Sequence, residues 1–196
     1  MARPRGFDER QVLQAARDEF WSCGYAGTSI DDVAAATGLG KGSLYGAFGD
    51  KHALFLRVFD DYCTDAVNAV RGALEGPDSG AYGRLRAHVL AVARATGNDT
   101  ERLGCLLARG TAELAGSDPA VAARAKQTFD AIEQALMGCI EGAQRAGDID
   151  PSADGRQLAG LLLAILRGIE ALGKAGKSKA ALRGIADAAL AVLPRS

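Results

Sequence analysis

The chain has 196 residues, 48% of them hydrophobic, which suffices for a buried core in one large domain or two small ones. Aromatics reach only 6% and long alternating β-branched segments are missing, so a sheet-built fold is excluded and an all-α one is expected. The net charge of -1 does not advertise nucleic-acid binding, and no apolar run reaches the roughly 18 residues a membrane span requires.

Residues 1–6 form a short basic arm with Arg3 and Arg5, and Asp8 to Cys23 read as a first helix that buries Val12, Leu13, Ala16 and Phe20. Met1 to Arg10 is polar and leads straight into that helix, so no signal peptide is expected and the expected compartment is the cytoplasm. Trp21, the only tryptophan, is assigned to packing rather than to ligand contact. Beyond Gly24-Tyr25, residues Ile30, Val33, Ala34 and Thr37 fall at i, i+3, i+4 and i+7 and give a second, short helix. Thr28 or Ser29 can cap it, and Asp31 and Asp32 face water in its first turn. Gly38 follows the last periodic residue, where a left-handed C-cap is cheapest, and Leu39 can drop into the angle before the helix restarts at Lys41.

Lys41 to Phe48 are anchored by Leu44 and Phe48, with Tyr45 at the edge of the same stripe. The open side carries Gly42, Ser43 and Gly46, although each glycine costs roughly 1 kcal/mol against alanine in a helix interior. Close approach to another surface would compensate, and the DNA major groove admits such a helix. A small helical hairpin with a plain turn is the alternative reading of the same residues.

The stretch from Thr28 to Lys51 resembles the tetracycline-repressor-like (TetR/AcrR) transcriptional regulators, whose DNA-binding motif ends in Leu-Tyr-x-x-Phe-x-x-Lys, here Leu44, Tyr45, Phe48 and Lys51. The resemblance includes the upstream helix Phe7 to Cys23, the Gly24-Tyr25 corner, the Thr28-Ser29 start and the long helix from Asp50. It implies an all-α chain of about nine helices: a three-helix DNA-binding unit over 1–51 and an effector-binding and dimerisation domain over 52–196. It also implies a homodimeric repressor that binds an inverted-repeat operator in double-stranded DNA and is released by a small molecule. By this resemblance Thr28, Ser29, Tyr45 and Lys51 take phosphates, Lys41 and Ser43 reach base edges, and Gly42 belongs to the same DNA-facing helix. Thr28 or Ser29 reading only as a cap, Tyr45 only as packing and Lys41 only as a solvated charge remain open. Many relatives carry a larger aromatic or histidine between Tyr45 and Phe48, where this chain has Gly46 and Ala47, so fewer side chains are left to read bases.

Charge placement matters more than its sum. The first 51 residues hold Arg3, Arg5, Arg10, Arg17, Lys41 and Lys51 against Asp8, Glu9, Asp18, Glu19, Asp31, Asp32 and Asp50. Most of those carboxylates fall in first turns or on the outer face of the first helix, so binding is expected to rely on few cations and on helix N-termini.

Downstream, Asp50 is a candidate N-cap for a helix with two apolar stripes, Leu54, Val58 and Tyr62 on one and Phe55 and Phe59 on the other. A loop over Glu75 to Gly83 ends it. Further helices are expected over Arg84 to Thr96, Leu103 to Ala115, Pro119 to Ala146, Ser152 to Lys174 and Ser178 to Leu193, with Asp118 capping the one that begins at Pro119. The helix from Ser152 is apolar over a broad face, and the last one repeats the pattern with alanines. Leu162, Ile165, Leu166, Ile169, Leu182, Ile185 and Ala189 are therefore the expected dimer interface, an inference the resemblance shares.

Four cysteines, Cys23, Cys63, Cys105 and Cys139, and two histidines, His52 and His88, form no metal-ligand or nucleophile spacing, so neither metal nor cofactor is expected. Carboxylates such as Glu113, Asp130, Glu133 and Glu170 are scattered without a catalytic partner, and an enzyme is not expected. Past residue 80 only Tyr82 and Phe129 remain among the aromatics, which fits a smaller or aliphatic effector better than a flat cationic one. Gly104-Cys105-Leu106 is similar to a subgroup of the family in which some members respond to oxidants or electrophiles through cysteine. Cys105 is thus a candidate sensor, with a buried small hydrophobe as the competing reading.

Overall fold

The computed structural model describes residues 7–196, so the basic arm with Arg3 and Arg5 lies outside the described residues. Among these are nine α-helices: α1 (Glu9–Gly27), α2 (Ile30–Thr37), α3 (Lys41–Phe48), α4 (Lys51–Leu74), α5 (Ala81–Asn98), α6 (Leu106–Leu114), α7 (Pro119–Arg145), α8 (Gly155–Lys174) and α9 (Lys179–Ala191). A single 3-10 turn, Asp78–Gly80, precedes α5. The chain divides into two compact units, one running through Cys63 and including Leu106–Ala125, the other Thr64–Cys105 with Lys126–Ser196. The first unit thus reaches beyond a division at residue 51, because the start of α4 and the later helix α6 pack with α1.

In the first unit, Asp8 caps α1 by accepting from the Arg10 and Gln11 amides. The helix breaks at Gly24, whose φ of 81° and ψ of 171° are open only to glycine. The core is aromatic: Phe20 meets Phe55 edge-on at 5.2 Å, Tyr25 meets Phe55 at 5.0 Å, and Phe55 stacks on Phe59 at 5.5 Å. Trp21 packs against Tyr62 at 5.2 Å, the packing role expected of it. Gly110 of α6 lies so close to Phe59 that a Cβ would come within 2.7 Å of the ring. Asp50 caps α4 through the Ala53 amide, and Asp118 caps α7 through the Ala120 and Val121 amides.

In the second unit, α5 packs on both α8 and α9, which also pack on each other. Leu85, Val89 and Ala93 of α5 are buried, as are Leu162, Leu166 and Ile169 of α8 and Leu182, Ala186 and Ala189 of α9. Fully burying one such leucine or isoleucine contributes roughly 1.5–3 kcal/mol. Gly173 faces Thr96 with no room for a Cβ, which lets α8 approach α5 closely.

Several boundaries differ from the sequence reading, three of them for a visible reason. The loop expected over Glu75 to Gly83 is shorter, since the 3-10 turn and α5 occupy its second half. α6 starts at Leu106 rather than Leu103, because Arg102 and Gly104 both take positive φ and cannot continue a helix. α8 starts at Gly155 rather than Ser152, since Asp154 caps it by accepting from the Arg156 and Gln157 amides.

Candidate nucleic-acid interface

Helix α2 is fixed at its N-terminus by a complete capping box. The Ser29 hydroxyl accepts from the Asp32 amide at 3.2 Å, while the Asp32 carboxylate accepts from the Ser29 amide and hydroxyl, each at 2.7 Å. Those bonds hold the Asp32 carboxyl below its ordinary value, with a smaller contribution from the charge of Lys51 at the start of α4. Gly38 closes α2 in the left-handed conformation at φ 68°.

Helix α3 buries only Leu44 and Phe48. Its outward side presents Lys41, Gly42, Ser43, Tyr45 and Gly46, and Tyr45 is 47% exposed. A Cβ added at Gly42 or Gly46 would meet nothing within 4 Å. No side chain caps the α3 N-terminus, where Gly40 is the N-cap, so its first amides are open to an anion. Lys41 is engaged with Asp31 of α2 at 2.6 Å, and that bond raises the lysine above its ordinary value. Lys51 lies over the Tyr25 ring at 4.3 Å.

The expected DNA residues therefore divide. Lys41, Gly42, Ser43 and Tyr45 share the open side of α3, with Ser29 and Lys51 at neighbouring helix starts. Thr28 does not join them: it is 1% exposed, and its hydroxyl donates to the Gly24 carbonyl at 2.7 Å. That bond satisfies a carbonyl at the α1 break, so the Thr28 side chain is structural rather than a phosphate ligand. Asp31, read from sequence as merely solvated, is the partner of Lys41.

The break in α1 is held by a pair of residues the sequence did not single out for this role. Arg109 donates to the Trp21 and Ser22 carbonyls at 2.8 and 2.9 Å and to Glu113 at 3.0 Å, while Glu113 accepts from the Tyr25 amide at 2.7 Å. Burial pushes the Glu113 carboxyl up, but Arg109 and the Tyr25 and Ala26 amides outweigh it and leave it below its ordinary value. Glu113 is thus an anchored carboxylate, not a solvated one. Nearby, His52 bonds to Asp118 at 2.5 Å, linking the start of α4 to the cap of α7.

In the second unit, Cys105 is 9% exposed and accepts a hydrogen bond from the Arg167 guanidinium at 3.3 Å. Arg167 also pairs with Glu170 at 2.9 Å. Burial raises the Glu170 carboxyl and lowers His88, the Arg167 charge adding to the effect on His88. The cation beside Cys105 comes from α8, and sequence distance hid it. Of the seven expected interface residues, Leu162, Leu166, Ile169, Leu182 and Ala189 are 3% exposed or less within the protomer. They are core residues where α5, α8 and α9 pack together and cannot line a surface; Ile165 and Ile185 are partly exposed. The open apolar side of α8 instead carries Leu161 at 44% exposure, and Val192, just past the end of α9, is 58% exposed. Among the described residues no helix is long and apolar enough to cross a membrane, and no cluster of His, Cys, Asp and Glu has metal-binding geometry.

Residues 12–58 match the family model for bacterial regulatory proteins of the tetR family, and residues 81–189 match the tetracyclin repressor-like C-terminal domain. The HTH-type transcriptional repressor ComR of Escherichia coli K12 is 28% identical over 192 residues, 98% of this chain and 91% of that protein. The uncharacterized HTH-type regulator YezE of Bacillus subtilis is 30% identical over 81% of this chain and 84% of its own length. A similar solved structure is a cysteine variant of the TetR-family regulator CifR complexed with 26-base-pair operator DNA, with a TM-score of 0.82, 25% identity, and 98% of this chain and 100% of that chain covered.

Proposed function

Because the chain belongs to the tetR family of bacterial regulatory proteins, we propose that it is a cytoplasmic, homodimeric repressor that binds an inverted-repeat operator and leaves it when a small molecule binds. The observation that carries the reading is the outward side of α3, where Lys41, Ser43 and Tyr45 stand free of bulky neighbours beside an uncapped helix N-terminus. Laid in a major groove, Lys41 exchanges Asp31 for guanine O6 or N7, Ser43 meets a base edge and the Gly42 and Gly46 backbone comes close. Tyr45, Ser29 and Lys51 hold phosphates and set the register. Residues 1–51 do the reading, and 52–196 carry the effector site and the dimer contact.

Two readers must stand about one helical turn of DNA apart, roughly 34–36 Å, or a multiple of it, and a two-fold dimer supplies them. The exposed side of α8, with Leu161, Ala164, Ile165 and Gly168, and that of α9, with Ile185 and, just past its end, Val192, supply an apolar surface for the mate. Footprinting of the intergenic DNA beside its own gene, with the oligomeric state measured by light scattering, tests the reading. Protection of an inverted repeat by a dimer, weakening steeply with salt, is the expected result. A stable monomer, or an unprotected intergenic region, overturns it.

The hydrogen bond from Arg167 to Cys105 favours a second element, release by an electrophile or oxidant acting on that sulfur. Cys105→Ser is expected to keep its DNA affinity and lose the response to N-ethylmaleimide. Equal release of parent and variant refutes the sensor.

A further inference from the structure

A cavity of about 380 Å³ lies in the second unit between the end of α4, the 3-10 turn, the start of α5 and α7. Its size is at the low end of pockets that take small organic ligands. On the α7 side Ala131, Ala135 and Gly138 carry little or no side chain, and a Cβ at Gly138 would meet nothing within 4 Å. The other walls are charged. Arg71, Arg84 and Arg145 line the cavity together with Glu75 and Asp78.

These charges do not cancel. Arg145 is matched by Asp78 through two bonds of 2.8 and 3.0 Å, and the guanidinium holds the Asp78 carboxyl below its ordinary value. Arg84 is fixed by neutral acceptors, its Nε donating to the Leu74 carbonyl and its Nη2 to the Pro77 carbonyl, each at 2.9 Å. Those bonds orient the fork without an ion pair, and its charge adds to that of Arg145 in holding Asp78 down. The side chain of Arg71, in the last turn of α4, is exposed and makes no ion pair or hydrogen bond with the described residues. With Glu75 exposed, three guanidinium groups face two carboxylates, a surplus of one positive charge. Gln134 adds a neutral amide. The Cys139 thiol donates to the Ala81 carbonyl at 3.2 Å and burial pushes it up, so it stays a spectator.

We propose that this cavity is an effector site whose ligand is a small organic monoanion, a carboxylate on a short aliphatic or single-ring body held by Arg84 and Arg71. The single surplus charge selects a monoanion over a dianion, and the side-chain-poor stretch of α7 accommodates the apolar body. The assignment rests on the effector-released reading above, and its test separates the two.

Isothermal titration of the purified full chain with hexanoate and benzoate, against hexanamide, benzamide and inorganic phosphate, reads the site directly. Both acids are expected to bind, with the amides and phosphate at least about tenfold weaker. Gly138→Leu, which fills the open space, is expected to abolish binding at an unfolding midpoint no lower than the parent's. Arg71→Gln, at an exposed side chain, weakens it several-fold and keeps the test readable should the leucine disturb the fold. The site is refuted if neither acid binds, if amides or phosphate bind equally, or if both variants bind like the parent. In a parallel operator-release assay, acids that bind the cavity yet leave DNA held would refute effector release while sparing the site. Release by some other compound without acid binding would do the reverse.

Discussion

Helix α3 buries Leu44 and Phe48 and keeps Lys41, Ser43 and Tyr45 in solvent, whereas α8 buries Leu162, Leu166 and Ile169 and draws Arg167 and Glu170 largely inside with them. A helix that meets DNA needs its polar groups outside, where base edges and phosphates come to them. A helix packed within its own unit holds them inside, where low dielectric strengthens each pairing and makes each unpaired group costly. The contrast teaches that the net charge of -1 says little about either function. What matters is which few charges the fold commits to internal partners and which it leaves for another molecule.

The sharpest break of this contrast is the double substitution Tyr45→Ala with Lys51→Ala. Hydrogen bonds to charged groups are worth roughly 1.5–3 kcal/mol each, so operator affinity is expected to fall by about a hundredfold or more. The slope of affinity against salt should flatten by about one charge for the lost lysine. Undiminished affinity in a gel-shift titration would show that the outer side of α3 does not face DNA. Next in size is Arg109→Ala, which strips donors from the Trp21 and Ser22 carbonyls and leaves Glu113 without its cation. A loss of roughly 1–3 kcal/mol in urea unfolding is expected. An unchanged midpoint would mean that α1 holds its break at Gly24 without α6.

Periodicity and end signals made much of the architecture legible. The ranges of α2 and α3 follow from Ile30, Val33 and Thr37, from Gly38 and from the Leu44–Phe48 spacing, and Asp50, Asp118 and Ser178 mark real helix starts. The side a helix buries was harder to read. Leu162 and Leu182 are apolar enough for a subunit interface, but they are buried within the protomer, where α8 and α9 pack on each other and on α5. Periodicity identifies an apolar face and not what covers it. The same blindness to long-range partners hid the bond from Arg167 to Cys105 and that from Glu113 to the Tyr25 amide. Thr28 was misread because a threonine before a helix signals a cap or a phosphate contact, and only coordinates reveal its bond back to Gly24.

A smaller effect sharpens the outward half of the comparison. Asp31→Asn releases Lys41 and removes a negative charge near the presumed phosphates, so operator binding should tighten a few-fold at low ionic strength. The gain should fade at high salt, as exposed pairs are screened. Weaker binding would show that the ion pair positions Lys41 for DNA instead of competing with it. The smallest expected change is Asp118→Asn. The bond from His52 holds the Asp118 carboxyl below its ordinary value, helped by the Val121 and Ala120 amides. Its stabilising contribution is present above the unfolded value of roughly 3.9 and is lost as pH falls through the lower folded value. Unfolding midpoints of the asparagine variant should therefore drop at neutral pH and converge on the parent below about pH 4. Parallel curves across the acid range would exclude that carboxylate as a source of the pH dependence.

The vacant space around Gly42 and Gly46 has a consequence for how binding preference can change over evolutionary time. Most helix positions resist mutation because a new side chain must displace an old neighbour, but here a replacement extends into solvent, and alanine would firm up the helix by roughly 1 kcal/mol. New preferences for target sequences are thus reachable by single-codon steps that the folded state tolerates. On the proposed reading of α3, a change at those two positions alters what the helix offers to DNA at little cost to the fold.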